Sequence, residues 1–205
     1  MSDMPLTRVA ANKKRQAHIR NAVRKAEKIT DIARIARPDD VAALTDLLAD
    51  PEVSTPIYTL PETINKTTVE SFIKQHLSER ERGEGLLMIS VDDSGVVNAY
   101  HDIQIWPQWS ACELGGAIRR GLQSSGKGGT DAAVAFNWLF DVIGVDLICE
   151  TAALDNVRTA RLLERIGFSY KGEITSKRPE GGFRPSHYWE LGIADWQSHS
   201  QSTVP

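Results

Sequence analysis

Eight consecutive residues, Gln123-Ser124-Ser125-Gly126-Lys127-Gly128-Gly129-Thr130, bring together glycines, hydroxyls and one cation. Glycines let the backbone turn tightly and aim several N–H groups at one point. A helix starting there adds about half a positive charge, so the turn suits a phosphate or pyrophosphate. Such a helix is expected over about Gly129 to Val142, where Ala132, Phe136, Leu139 and Ile143 recur at helical spacing. Ala111 to Leu122, just before the turn, reads as a strand. Lys127 could add attraction or point to solvent.

Two nucleotide motifs fit this stretch poorly. Gly121, Gly126 and Lys127 satisfy G-x-x-x-x-G-K, but the next residue is Gly128, where a P-loop needs Ser or Thr for magnesium. A dinucleotide fold would need G-x-G-x-x-G after an opening βαβ unit, whereas the strands before the turn read as an antiparallel meander. Glu113 is a candidate general base, because a carboxylate on a half-buried strand can have its pKa raised towards neutrality. The other reading is a strand glutamate facing solvent, and alternation alone leaves both open. Asn156 could cap a helix and Thr159 could bond a carbonyl one turn back. No Cys/His spacing suggests zinc and no Asp cluster suggests calcium, so no metal is expected. Cys112 and Cys149 lie in apolar stretches and read as buried, reduced thiols.

The elements that must position these residues follow from periodicity and breakers. Ala10 to Lys28 has no Gly or Pro and only a weak stripe of Ala17, Val23 and Ala26, which predicts a polar, solvated helix. Asp31 to Arg37 reads as a strand. Pro38, Asp39 and Asp40 open a helix whose face is Val41, Leu44, Leu47 and Leu48. Asp50-Pro51 should stop it, leaving Pro51 to Asn65 as a loop able to roof a pocket before a helix from about Thr67 to Arg82. Leu86 to Val91 and Val96 to Ile105, joined by Asp92-Asp93-Ser94-Gly95, read as a hairpin. Then come a strand at Leu147 to Thr151, a helix at Asn156 to Ile166, and closing strands at Phe168 to Thr175 and His187 to Ile193. Pro179, Gly181, Gly182 and Pro185 should keep Ser176 to Ser186 irregular.

Three motifs in this order resemble the GCN5-related N-acetyltransferase (GNAT) superfamily. Gln123, Gly126 and Gly128 match its cofactor signature of Gln or Arg, two residues, Gly, one residue, then Gly or Ala. Asn156-Val157-Arg158-Thr159, leading through Leu162 to Gly167-Phe168, is similar to the helix and terminal Gly-Phe that follow it. Glu113-Leu114-Gly115 looks like the Glu-Leu-Gly of the RimJ/RimL-like ribosomal-protein N-terminal acetyltransferases. The resemblance spans about Ile32 to Trp196. It implies an α/β (α+β) fold: a mixed, mostly antiparallel sheet of about seven strands with helices on both faces, splayed between its fourth and fifth strands. It also implies acetyl-CoA as acyl donor, held by the Gln123 to Thr130 turn, by Ala117 and Ile118 on the strand, and by Asn156 and Thr159. Glu113 and Thr159 become the catalytic candidates. Many relatives carry a Tyr acid where this chain has Leu163; Thr159, bound water, Tyr170 and Tyr188 are the substitutes.

The implied acceptor is a primary amine on a protein or peptide N-terminus or a small molecule, and Tyr58, His101, Trp106 and Tyr188 are its candidate contacts. For any one aromatic, core packing is the competing reading. Residues 1–30 read as a basic helical extension, 31–196 as the acyltransferase domain and 197–205 as a polar tail. Eight Lys/Arg against Asp3 and Glu27 give Met1–Lys28 a net charge of +6, leaving −9 for the rest of a chain whose total is −3. That arm could touch nucleic acid or pair two copies, as could the final hairpin; a solvated helix is the plainer expectation. No apolar stretch is long enough to span a bilayer, and the first thirty residues lack the apolar centre of a secretory signal, so no membrane contact and a cytoplasmic site are expected. Two alternatives to the enzyme stay open: a CoA-binding or RNA-associated module without catalysis, and a nucleotide hydrolase.

Overall fold

The computed structural model describes residues 4–122, 127–177 and 181–202. In chain order the elements are α1 (Lys13–Lys25), β1 (Lys28–Ile29), β2 (Ala33–Ile35), α2 (Val41–Leu48), α3 (Pro51–Ser54), α4 (Lys66–Arg82), β3 (Gly85–Val91), β4 (Val97–Trp106), β5 (Ala111–Ile118), α5 (Lys127–Trp138), β6 (Leu147–Ala153), α6 (Val157–Ile166), β7 (Ser169–Lys177), β8 (Phe183–Gly192) and α7 (Ile193–Ser202). Among the described residues eight strands form one sheet in the order β1-β2-β3-β4-β5-β6-β8-β7, with only the β5–β6 pair parallel. The two-residue β1 is the strand beyond the expected seven.

Each face of the sheet buries its own core, because alternate strand residues point to opposite sides. Leu87, Ile89, Val97 and Tyr100 pack under α2, α3 and α4 with Leu44, Leu48, Phe72 and Ile73. Leu86, Met88, Ile103, Ile105, Cys112 and Ile148 pack on the other face with Phe136, Leu139, Leu163 and Trp196. The helices begin and end where their side chains dictate. Asn65 and Thr68 cap each other's backbone at the start of α4, and Asn156 accepts the Thr159 N–H at the start of α6. Gly167 ends α6 at φ 104°, a left-handed conformation that disfavours side chains, and so turns the chain into β7.

Four expectations need correction. α1 is docked, not solvated: Ile19, Val23 and Ala26 are buried in the core, while Ala17 is exposed. Arg15 pairs with Asp146 at 2.6 Å and Arg20 with Glu84 at 2.6 Å, so much of the basic charge is spent on the protein's own surface. Pro51 opens α3 instead of a loop, since proline suits the first helical position and Asp50 caps it. The closing hairpin reaches further than expected: Pro185 lies in β8, paired with Thr175. β6 ends at Ala153 opposite Ser186, so no strand needs an N–H from residue 185 on that side. Finally, the boundary expected at residue 196 falls inside α7, where buried Trp196 donates its Nε1 to Asn137 Oδ1 at 2.7 Å.

Candidate active site

The site starts from a mismatch between two neighbouring strands. β5 pairs with β4 along its whole length, from Trp106↔Ala111 to Ala99↔Ile118. It pairs with β6 only at Ala111↔Leu147, Cys112↔Ile148 and Glu113↔Cys149. Beyond Glu113 the strands diverge, and Leu114–Ala117 has no strand partner on that side among the described residues. Gly116 lies at φ 147°, and a Cβ there would stand 2.2 Å from the Tyr100 carbonyl oxygen, so β5 can approach β4 in this conformation only with glycine. A cleft of about 1280 Å³ passes through the gap. Glu52, Val53 and residues 56–59 roof part of it, as expected of the segment before α4.

Glu113 stands at the apex of the splay on the α2–α4 face. Thr151 donates its hydroxyl to Oε1 at 2.9 Å, and the Tyr58 hydroxyl donates to the same oxygen at 3.2 Å. The Arg184 guanidinium lies 4.6 Å over the Tyr58 ring and donates to the Pro56 carbonyl at 2.7 Å, which fixes the roof. Burial, helped by the charge of Asp102, pushes the Glu113 carboxyl up to about 7, against the hydrogen bonds from Thr151 and Tyr58 and the charge of Arg184. Burial and then the charge of Glu113 push Glu150 upward too. His76 donates from Nε2 to the Asp102 carboxylate at 3.0 Å and from Nδ1 to the Phe72 carbonyl at 2.9 Å. Burial opposes a charge on His76, but the hydrogen bond and charge of Asp102 outweigh it and hold the imidazole up at about 9. The Tyr100 hydroxyl, buried on the same cleft wall, has no hydrogen-bond partner among the described residues. A donor left unmet in this way costs about 1–3 kcal/mol.

On the α5–α6 face the cleft is bounded by Asp131 and Ala132, early in α5, and by Asn156, Thr159 and Leu163 from the start and middle of α6. The positive end of α5 therefore opens beside the cleft. Gln123, Ser124, Ser125 and Gly126 lie outside the described residues; Lys127, Gly128, Gly129 and Thr130 form the first turn of α5. Ala117 and Ile118 line the cleft from β5. Asn156 caps α6 and also borders the cleft.

The acceptor candidates divide. Tyr58 reaches Glu113, and Trp106 lines the cleft on the same face. His101 lines the same cleft but from the other face: it pairs with Gly116, three residues along β4 from the Gln104↔Glu113 pair, an odd number, so its ring points to the α5 side. Burial drives its pKa down to about 4. Tyr188 is misplaced as a contact. It is wholly buried beneath the N-terminal segment, with its hydroxyl on Cys149 Sγ at 3.1 Å and Glu190 Oε1 at 2.6 Å. Tyr170 bonds His187 at 3.0 Å and does not border the cleft. Thr151, Asp102, His76 and Arg184 were not singled out from the sequence; each meets the site through a neighbouring strand or helix and carries no local motif.

Residues 32–169 match the family described as Acetyltransferase (GNAT) domain, which is well over half the chain. The chain belongs to the GNAT acetyltransferase family. It is an N-acetyltransferase of that family. No curated protein matches the sequence. Among solved structures, RimJ of Mycobacterium smegmatis in complex with CoA-disulfide is similar with a TM-score of 0.69 at 16% identity, covering 83% of this chain and 87% of that one. Spermidine N-acetyltransferase of Vibrio cholerae in complex with CoA and spermine is similar at 0.67 and 14%, covering 80% and 96%. Ribosomal-protein-S5-alanine acetyltransferase of Vibrio fischeri is similar at 0.66 and 13%, covering 80% and 93%. At these identities the likeness is one of fold. Among the described residues no helix is long and apolar enough to cross a membrane.

Proposed function

We propose that this GNAT enzyme transfers acetyl from acetyl-CoA to a primary amine by direct attack, with Glu113 as the general base. The observation that carries the reading is the carboxylate at the apex of the splay, held by Tyr58 and Thr151 and poised near neutrality. A general base works best when its pKa lies near the operating pH, since it is then both ionised and basic enough.

The residues present fit the donor. The gap between β5 and β6 is open to a thin chain, the backbone of Leu114–Ala117 borders it without a strand partner, and the α5 terminus offers its positive end to a pyrophosphate. Asn156 and Thr159 flank the same passage. Two of the similar structures are complexes with CoA or CoA-disulfide, which supports the same class of donor here. When bound, acetyl-CoA supplies the activated acyl carbon. Glu113 takes a proton from the acceptor amine, directly or through one water. Tyr58 and Thr151 hold its carboxylate. Leu163 is buried and cannot give a proton, so the departing thiolate takes one from a water beside Thr159, directly or relayed through the Thr159 hydroxyl, which regains its own from that water.

The acceptor is a protein or peptide N-terminus or a small-molecule amine, entering from the Tyr58 and Trp106 side. A panel of N-terminal peptides and polyamines with acetyl-CoA should release thiol and yield a singly acetylated product with at least one of them. Tight acetyl-CoA binding with no turnover across the panel would instead mark a binding module.

A further inference from the structure

The first described residues lie outside the family match, which begins at residue 32, yet they reach the acceptor side of the cleft. Residues 4–11 form a strap across β8, β6 and the turn at 107–109 that joins β4 to β5. The Leu6 N–H donates to the Tyr188 hydroxyl at 3.2 Å. Thr7 grips the buried Glu190 carboxylate twice, through its N–H at 2.8 Å and its hydroxyl at 2.5 Å. Further along, the Ala11 N–H donates to the Gln108 carbonyl at 2.9 Å and the Arg8 guanidinium lies 5.8 Å over the Trp109 ring. Glu190 is 3% exposed. A carboxylate that deep is costly unless hydrogen-bonded, so the clasp is a built feature.

The strap delivers one side chain to the site. Met4 is buried against Cys149 and Tyr188, with Trp106 packed alongside, and it lines the cleft. Cys149 is the register partner of Glu113, so the two share a face about 4.8 Å apart in the sheet. Met4 thus closes the end of the cleft at which the β5–β6 pairing begins, one strand from the base. An unbranched thioether makes an adaptable apolar stop.

We propose that Met4 is the end wall of the acceptor pocket and limits the bulk of the group attached to the reacting amine, with the Thr7–Glu190 clasp holding the wall in place. The inference rests on the acceptor reading given above. It selects acceptors whose amine-bearing carbon carries a small substituent.

The test uses the full chain, acetyl-CoA and two matched pairs of acceptors: Ala-Gly-Gly with Phe-Gly-Gly, and propylamine with phenethylamine. The wild-type chain should prefer the smaller member by kcat/KM. Met4→Ala should shift the ratio towards the bulky member by about tenfold and Met4→Trp should shift it the other way, in line with what a few methylenes are worth in an apolar pocket. Met4→Leu keeps the volume and should keep the ratio. Thr7→Val loosens the strap without emptying the pocket and should move the ratio in the direction of Met4→Ala. Acetyl-CoA affinity, measured by calorimetry, should stay constant throughout and reports that each variant is folded. Unchanged ratios in Met4→Ala and Met4→Trp, with turnover and acetyl-CoA binding intact, would overturn the wall while leaving the enzyme reading standing. No turnover of any of the four by the wild-type chain would overturn the acceptor reading and the wall with it.

Discussion

Replacing Glu113 by Gln keeps the shape of the side chain and removes its ability to take a proton. With the carboxyl pushed up to about 7, the ionised fraction rises from about a tenth at pH 6 to about a half at pH 7 and about nine-tenths at pH 8. Saturating turnover should therefore climb about fivefold between pH 6 and 7 and level off above pH 8. In Glu113→Gln that limb should vanish and turnover at its plateau should drop by about two to four orders of magnitude, the usual contribution of a general base. A peptide α-amino group titrates near 8 and adds its own rise to kcat/KM, so the diagnostic is the difference between the two proteins in kcat. The assay is thiol release from acetyl-CoA at saturating acceptor, with calorimetry confirming that acetyl-CoA binding survives the change. A variant that keeps turnover within about threefold of wild type, or keeps the same limb, would refute the assignment.

Tyr58→Phe and Thr151→Val each remove a hydrogen bond that favours the ionised Glu113, so the limb in kcat should move to higher pH and activity at pH 7 should fall, read from the same profile. Gly116→Ala should destabilise the fold by about 1–3 kcal/mol or more in urea unfolding, because the residue must hold φ 147° with its Cβ against the Tyr100 carbonyl. His76 is raised from its ordinary value of 6.5 to about 9, so the pair with Asp102 contributes about 3 kcal/mol that is complete below about pH 6.5, declines above it and is lost past about pH 9. Unfolding midpoints measured across that range should fall in wild type, and His76→Asn should flatten the fall. Ile19→Ala should cost about 2–5 kcal/mol, as for any buried Ile; a shift near zero would return α1 to solvent.

Much of the architecture was legible because it is local. The Leu86 and Val96 hairpin, the helix after the glycine-rich turn and the Asn156-capped helix all follow from period, caps and breakers within a few residues. What escaped depends on partners far along the chain. α1 looked solvated because a stripe of Ala17, Val23 and Ala26 is thin; the buried row is Ile19, Val23 and Ala26, and α4, the turn at 107–109 and residues 139–143 after α5 give it a core to enter. Pro185 read as a breaker because the sequence does not show where β6 ends. Alternation told that Glu113 and Gly115 share a face of β5 but not which face that is, and the same ambiguity in β4 hid that His101 enters the cleft from the side opposite Glu113. Tyr188 was misread because the strap that buries it comes from the opposite end of the chain. The Glu113–Thr151 contact joins strands separated by α5, so no spacing could reveal it.

The most direct test of the account is a calorimetric titration of the full chain with acetyl-CoA and, separately, with ATP and magnesium, repeated on Ala117→Trp, which would fill the passage between β5 and β6. The account predicts roughly micromolar acetyl-CoA binding to the wild-type chain, its loss in the filled variant, and no binding of the magnesium nucleotide to either. No acetyl-CoA binding to the wild-type chain, or undiminished binding to a folded Ala117→Trp, would contradict it.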